Sequence, residues 1–149
     1  MHKASHLEDA RAIVTLQRLR RTQADARAAE ALAAAEAAKD AAWAAATHAN
    51  DASADWQDHV GGVAHDPAYG RWLAERLIDR TGDAERAQTM VKVTSEMSAR
   101  RDQERRAADG TVRAGERRLK SLSAQAARRR EGRQLDEMAD RITYRWLKQ

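Results

Sequence analysis

One stretch of this sequence is dominated by a single residue type. Alanine fills 18 of the 31 positions from residue 24 to residue 54, and that stretch contains neither proline nor glycine. Alanine has the highest helix propensity of all residues. The stretch therefore predicts one long, uninterrupted helix.

Large apolar residues are scarce throughout the chain. Leu, Ile, Val and Phe together account for only 19 of the 149 residues, whereas Ala, Glu, Lys, Leu and Arg account for 81. This composition is typical of coiled coils and long helices, and it excludes a compact αβ enzyme or a β-sandwich, which need a larger apolar core. One proline and seven glycines are few helix breakers, so the composition favours helix over disorder.

A glycine-rich break divides the chain into two helical segments. We predict a first helix over about residues 5–59, a turn over about 60–70 and a second helix over about 71–146. Neither helix is apolar enough to be stable alone, so the two should pack against each other along their length. The predicted fold is all-α, a long antiparallel two-helix coiled-coil hairpin that spans residues 1–149 as a single unit, with a C-terminal helix overhang.

Capping signals support these boundaries. Ser5 and Glu8 have the spacing of a capping box, which places the first helix start at Ser5. Gly61 and Gly62 suit a left-handed C-terminal cap, and the Asp66-Pro67 dipeptide suits a turn or a helix start.

Apolar residues at spacings of three, four and seven predict the seam between the helices. The predicted stripes are Leu7, Val14, Leu16, Leu19 and Ala26 in the first helix, and Leu73, Leu77, Ala84, Ala87, Val91, Val112, Leu119, Leu122, Ala126, Leu135, Met138, Ile142 and Trp146 in the second. We expect Trp43 to pack in this seam, and we expect bends or frayed joints near Gly82, Gly110, Gly115 and Gly132, since glycine weakens a helix.

The two predicted helices differ in length. If residue 59 faces residue 71, antiparallel counting puts Ser5 opposite about residue 125. The second helix then extends about 20 residues further, and its apolar stripe lacks an intramolecular partner. Such an amphipathic helix end is a candidate partner-binding surface.

Residue patterns that carry chemistry are mostly missing. The sequence contains no cysteine, no phosphate-binding glycine loop and no nucleophile elbow. His2 and His6 have a metal-chelating spacing without a clear third ligand, and His59 and His65 flank the turn, where a solvated role is expected. We expect no enzymatic activity, no cofactor and no metal, and we see neither a signal peptide nor an apolar run that would span a membrane.

Aromatic residues concentrate near the two ends of the predicted hairpin. Tyr69 and Trp72 beside the turn either plug the hairpin end or anchor a partner, because interfaces favour both residue types. The anchor interpretation is favoured for Tyr144 and Trp146 in the overhang.

Residues 100–133 form one basic region, with 12 basic and 5 acidic side chains. They could contact the phosphates of a nucleic acid. The alternative is that these arginines form a solvated helix face with carboxylate neighbours.

Three segments resemble the flagellar export protein FliJ and its injectisome counterparts of the YscO type. The N-terminal run from Ile13 to Arg21, followed by an Ala/Glu-rich helix, is similar to the family's opening, and the run from Tyr69 to Leu77 is similar to its mid-chain segment. The most specific likeness is Arg129-Arg130-Glu131-Gly132-Arg133-Gln134-Leu135-Asp136-Glu137-Met138-Ala139, which resembles the C-terminal Arg-Arg-Glu-Gln-Lys-x-Leu-Asp-Glu-x-Ala signature. Gly132 departs from that signature, where the family has glutamine.

The resemblance implies a central stalk of a type III protein export apparatus, most simply the flagellar one. Its partners would be the hexameric export ATPase, the membrane export gate protein and export chaperones, with no nucleic acid. It would be cytoplasmic, and at the cytoplasmic face of the inner membrane when assembled. The implied ATPase-binding residues are Leu16, Leu19, Arg128, Arg129, Arg130, Arg133, Leu135, Asp136 and Glu137, and the implied gate-binding residues are Tyr69, Trp72, Leu73 and Leu77. The alternative from the residues themselves is a basic coiled-coil adaptor or nucleic-acid-binding protein.

Overall fold

The protein is an all-α helical hairpin. The computed structural model describes residues 2–63 and 66–146, with side chains from residue 6 onward. Helix α1 runs over His2–Gly61 and helix α2 over Pro67–Trp146, and the two helices pack against each other in antiparallel orientation. No strand occurs among the described residues. The predicted fold class is confirmed.

The helix boundaries differ from the predicted ones by a few residues. Helix α1 already includes Ser5, so the capping box does not start it, although the Ser5 side chain lies outside the described residues. Helix α1 continues through Gly61 rather than ending at His59, and α2 begins four residues before Arg71. The connection is correspondingly shorter than predicted.

Asp66 caps the start of α2. Its Oδ1 accepts hydrogen bonds from the backbone N–H of Ala68, at 2.9 Å, and of Tyr69, at 3.4 Å. Pro67 occupies the first helical position, where its missing N–H costs nothing. Of the two roles predicted for this dipeptide, a turn or a helix start, the structure has the helix start, four residues before the predicted boundary at Arg71.

The predicted left-handed cap at the end of α1 is wrong. No described glycine has a positive φ, and Gly61 is the last helical residue. The N–H of Gly62 instead reaches back to the carbonyl oxygen of His59 at 3.4 Å. The helix therefore ends in a right-handed turn.

Residue contacts group the chain into two units. In the unit Ala24–Arg105, α1 contributes a seam of covered residues, all alanine except the last two, at strictly alternating spacings of three and four, which is the spacing of a coiled coil. These residues are Ala28, Ala31, Ala35, Ala38, Ala42, Ala45, Ala49, Ala52, Trp56 and His59. Helix α2 covers them with Leu73, Leu77, Ala84, Ala87, Val91, Thr94, Ser98 and Arg101. The α2 stripe over residues 73–91 is confirmed.

Trp43 does not pack in this seam. Its side chain is 75% exposed, so the prediction of a core tryptophan is wrong. The seam positions on either side of it, Ala42 and Ala45, are both alanine. Small residues let the helix axes lie close together, and a side chain as large as tryptophan is directed outward.

The second unit combines Met1–Gln23 with Arg106–Gln149. Val14 and Val112 are its buried apolar residues among those described, and Leu119, Leu122 and Ala126 are half-buried beside them, as predicted. Leu16 and Leu19 were predicted in the seam but are more than half exposed, and Ala26 of the other unit, also predicted there, is exposed. The α1 seam passes through Val14, as predicted, and through Ala10 and Gln17.

Helix α2 is unbroken through Gly82, Gly110, Gly115 and Gly132, so the expected frayed joints are absent from its described length. Gly115 has a specific packing role. A Cβ atom there would collide with Oε1 of Gln17 and would lie 3.2 Å from Cγ2 of Val14. The glycine thus permits close approach of α1 and α2 at this level.

Ion pairs between the helices fix their register. In the unit Ala24–Arg105, Arg76 Nη1 lies 2.9 Å from Asp55 Oδ2. In the other unit, Arg18 Nη2 lies 2.7 Å from Glu116 Oε1, and Arg21 Nε lies 3.3 Å from Asp109 Oδ1. Exposed pairs of this kind contribute little stability, about 0–1 kcal/mol each, but they oppose shifted alignments in which like charges would meet.

Candidate partner-binding surfaces

The C-terminal segment of α2, residues 127–146, carries a row of large apolar side chains that are exposed. Leu135, Met138 and Ile142 are 66%, 60% and 59% exposed, and Trp146 is 76% exposed. Their spacings of three, four and four place them on one side of the helix. This segment was predicted to lack an intramolecular partner, and its described side chains are exposed accordingly.

The exposed stripe does not continue the seam. Leu135, Met138 and Ile142 follow the half-buried Ala126 by 9, 12 and 16 residues. At about 100° per residue they are rotated from Ala126 by about 180°, 120° and 160°. The stripe therefore faces away from the side of α2 that contacts α1, and a partner would bind there without displacing α1.

Charged residues border this stripe asymmetrically. Three consecutive arginines, at positions 128 to 130, and Arg133 precede it, and Asp136, Glu137 and Asp140 alternate with its apolar residues. Arg133 Nε lies 3.3 Å from the carbonyl oxygen of Arg129, which holds that guanidinium along the helix. Arg141 and Arg145 lie within the same stretch, so the segment offers a basic end and an apolar stripe with charges of both signs within about six turns.

The ATPase-binding residues predicted in α1 do not lie next to this stripe. Leu16 and Leu19 form a separate exposed patch with Ile13, which sequence analysis had not singled out. The Arg18–Glu116 pair places Leu16 opposite about residue 118 of α2, about 17 residues before Leu135. At 1.5 Å per residue the two apolar surfaces are about 25 Å apart.

A four-residue aromatic cluster occupies the hairpin end. The rings of Tyr69 and Trp72 are stacked with centroids 5.7 Å apart, and His59 meets Tyr69 edge-on at 5.3 Å. Trp56 lies 6.4 Å from His59 on the α1 side. Tyr69 and Trp72 nevertheless remain about half exposed, so they both close the hairpin end and present ring surface outward.

The predicted gate-binding residues differ sharply in exposure. Leu73 is only 1% exposed and is the largest fully buried side chain described, while Leu77 is half-buried. Leu73 holds the hairpin end together from inside. The outward-facing surface consists of Tyr69, Trp72 and their polar neighbours.

Two residues of this hairpin end were missed by sequence analysis. Arg76 lies over the Trp72 ring, 5.5 Å from its centroid, while also pairing with Asp55. Gly70 is buried, and a Cβ atom there would lie 2.9 Å from Nε2 of His59. The i,i+4 spacing of Trp72 and Arg76 in the sequence could have indicated that Arg76 lies over the Trp72 ring. No sequence signal connects Gly70 with a histidine on the other helix.

Several arginines of the basic region 100–133 are already engaged with carboxylates. Arg101 lies 2.7 Å from Glu104, Arg105 lies 2.9 Å from Asp102, and Arg113 lies 2.7 Å from Asp109. The pKa of Glu104 is lowered by its hydrogen bond from Arg101, and additionally by the charges of Arg100 and Arg27. This pattern matches the solvated-face interpretation of the region better than a free polyanion-binding surface.

Among the described residues, no three potential ligands cluster closely enough to hold a metal ion. His2 and His65 lie outside the described side chains, so their predicted roles stay predictions. His59 packs within the aromatic cluster rather than in a solvated loop. Within the described residues, neither helix contains a segment long and apolar enough to cross a membrane.

No protein-family model, no curated protein and no solved structure matches this chain.

Proposed function

We propose that this protein is a coiled-coil stalk of a type III protein export apparatus, most simply the flagellar one, and that its C-terminal segment binds the export ATPase ring. One observation carries the proposal. The exposed stripe that begins at Leu135 coincides with the Leu135-Asp136-Glu137 motif that resembles the family signature. The same surface is therefore exposed and contains the motif.

The orientation of this stripe supports a partner-binding role. Exposed apolar residues scattered singly are common, but a contiguous stripe on a helix is typical of a docking surface. Because the stripe faces away from α1, pairing within the hairpin does not explain its apolar residues. Binding of the segment in a groove of a partner protein, as an amphipathic helix, explains them.

The hairpin end is the second proposed contact, with the membrane export gate. Tyr69, Trp72 and Arg76 belong to the three residue types most enriched at binding hot spots, and they are stacked on one another. Leu73 acts there by positioning these rings from the interior. Binding at both ends would couple ATPase and gate without any catalytic residue of this chain, and empty chaperones would be further partners.

Removal of the C-terminal segment tests the ATPase contact. A chain ending at Ala126 keeps every buried residue among those described, so it should remain helical by circular dichroism. It should no longer stimulate ATP hydrolysis by the cognate export ATPase, whereas the full chain should.

A point variant sharpens this test. Met138→Asp interrupts the stripe and should reduce stimulation at least tenfold. The matched control is Thr143→Asp, which introduces the same charge at an exposed position on another face of the segment. Full stimulation by the truncated chain or by Met138→Asp would refute the proposed ATPase contact.

A further inference from the structure

The unit Ala24–Arg105 contains an uncharged face that neither proposed contact uses. On α2, three apolar residues at spacings of three and four are about half exposed: Met90 at 53%, Val93 at 47% and Met97 at 53%. Side chains of this size, in a regular stripe, expose more apolar surface than a solvated helix face needs.

Helix α1 carries a second row of alanines parallel to its seam. Ala34, Ala37 and Ala41 are exposed and Ala44 is half-buried, and their spacings are three, four and three. Ala34 and Ala41 immediately precede the seam residues Ala35 and Ala42. This second row is as regular as the seam itself.

The two rows lie on the same side of the hairpin. In an antiparallel coiled coil, positions that immediately precede seam residues of both helices flank one side. The Arg76–Asp55 pair shows this directly, because Asp55 precedes Trp56 and Arg76 precedes Leu77. Met90 and Met97 likewise precede Val91 and Ser98.

The rows also lie at the same level. In an antiparallel helix pair, the numbers of two facing residues have a constant sum. For the Asp55–Arg76 pair this sum is 131. It is the same for Arg27 and Glu104, whose pKa is lowered mainly by Arg101 and more weakly by the charge of Arg27. Residues 34–44 therefore lie opposite residues 87–97. Together they form one apolar face, with large side chains on its α2 half and small ones on its α1 half.

We propose that two copies of this chain associate through this face, side by side and pointing in the same direction. A two-fold axis parallel to the helices places α2 of one copy over α1 of the other. Met90, Val93 and Met97 then lie over the alanine row of the second copy. The face is self-complementary in shape, which a symmetric dimer contact requires.

Charges at the border of the face fit the same arrangement. Counting along the hairpin, Glu30 lies at the level of Arg100, and the two-fold axis brings Glu30 of one copy opposite Arg100 of the second copy. The reversed arrangement pairs α2 with α2, which sets methionine against methionine and leaves gaps over the alanines. The face is small for a stable interface, so the dimer should be weak and concentration-dependent.

Cysteine variants test the geometry, since the sequence has no cysteine of its own. Full-length Ala37→Cys and Val93→Cys proteins are mixed and treated with a short bismaleimide crosslinker. The mixed dimer should dominate over either self-crosslinked product. Ala33→Cys and Glu96→Cys, at exposed positions on the outer faces and at nearly the same level, are the matched control pair and should crosslink at least tenfold less. Predominant self-crosslinking, or no excess over the control, would overturn the proposal.

Sedimentation equilibrium provides an independent readout. The average mass should rise above 16.6 kDa with concentration, and Val93→Glu should weaken association at least tenfold with unchanged helicity. Ala33→Glu should leave association unchanged. A concentration-independent monomer, or a dimer insensitive to Val93→Glu, would overturn the inference. ATPase stimulation depends on another unit of the chain, so its presence or absence does not bear on this outcome.

Discussion

His59 occupies the space that a side chain at position 70 would need. Gly70 is buried in the first turn of α2, and its N–H donates to the carbonyl oxygen of Asp66 at 2.9 Å. The imidazole lies between Trp56 and Tyr69. A glycine that looks like a helix defect in the sequence is therefore the residue that lets the hairpin end close.

Two glycine-to-alanine substitutions should consequently have opposite effects. Gly110→Ala should raise the free energy of unfolding by about 1 kcal/mol, because nothing lies within 4 Å of the new Cβ and alanine favours the helix. Gly70→Ala should lower it by about 1 kcal/mol or more, because the ring of His59 must move. Urea denaturation followed by circular dichroism measures both.

The same two variants also provide the result that would contradict this interpretation. If Gly70→Ala stabilised the protein as much as Gly110→Ala, His59 would not be packed against position 70. Tryptophan fluorescence should report the same difference, since Trp56 and Trp72 belong to the affected cluster and lie far from position 110 in sequence.

At the scale of the helices, sequence patterns located one seam better than the other. In α2 the large residues Leu73, Leu77 and Val91 mark the seam, and the structure covers them. In α1 alanine fills both the seam and its flanks, so the rare large residues no longer mark the contact. Leu16 and Trp43 were assigned to the seam for their size, and both are exposed.

The alanine seam should be intolerant of larger residues. Ala52 is 1% exposed, so Ala52→Leu should lower the free energy of unfolding by about 1–3 kcal/mol through overpacking. Ala33→Leu places the same side chain at an exposed position on the same helix and should change stability by less than about 0.5 kcal/mol. Thermal melts of both variants compare them directly, and an equal effect would mean that the seam is not closely packed.

At the scale of the whole molecule, counting residues was enough to place the C-terminal segment outside the helix pairing. Interhelical pairs confirm the antiparallel register on which that count depended. The orientation of the exposed stripe was not predicted, because Leu135 and the apolar residues after it were assigned to the same seam as Ala126, whereas they lie on the other side of the helix. Likewise, the apolar face formed by Met90, Val93 and Met97 depends on a register that no single helix reveals.

Stability should therefore vary along the chain. The fully buried residues described lie between positions 14 and 112, and none of the described residues after position 126 is buried. An isolated helix of about 20 residues is marginal in water, since most helix stability in proteins comes from packing. Hydrogen exchange should accordingly show weak protection of amides in residues 128–146 and strong protection around Ala31, Ala52 and Leu73.

Addition of the export ATPase should raise protection selectively in residues 128–146. Equal protection of this segment and the seam in the free protein would contradict the exposure of the segment, and unchanged exchange with the ATPase bound would contradict its proposed role in binding.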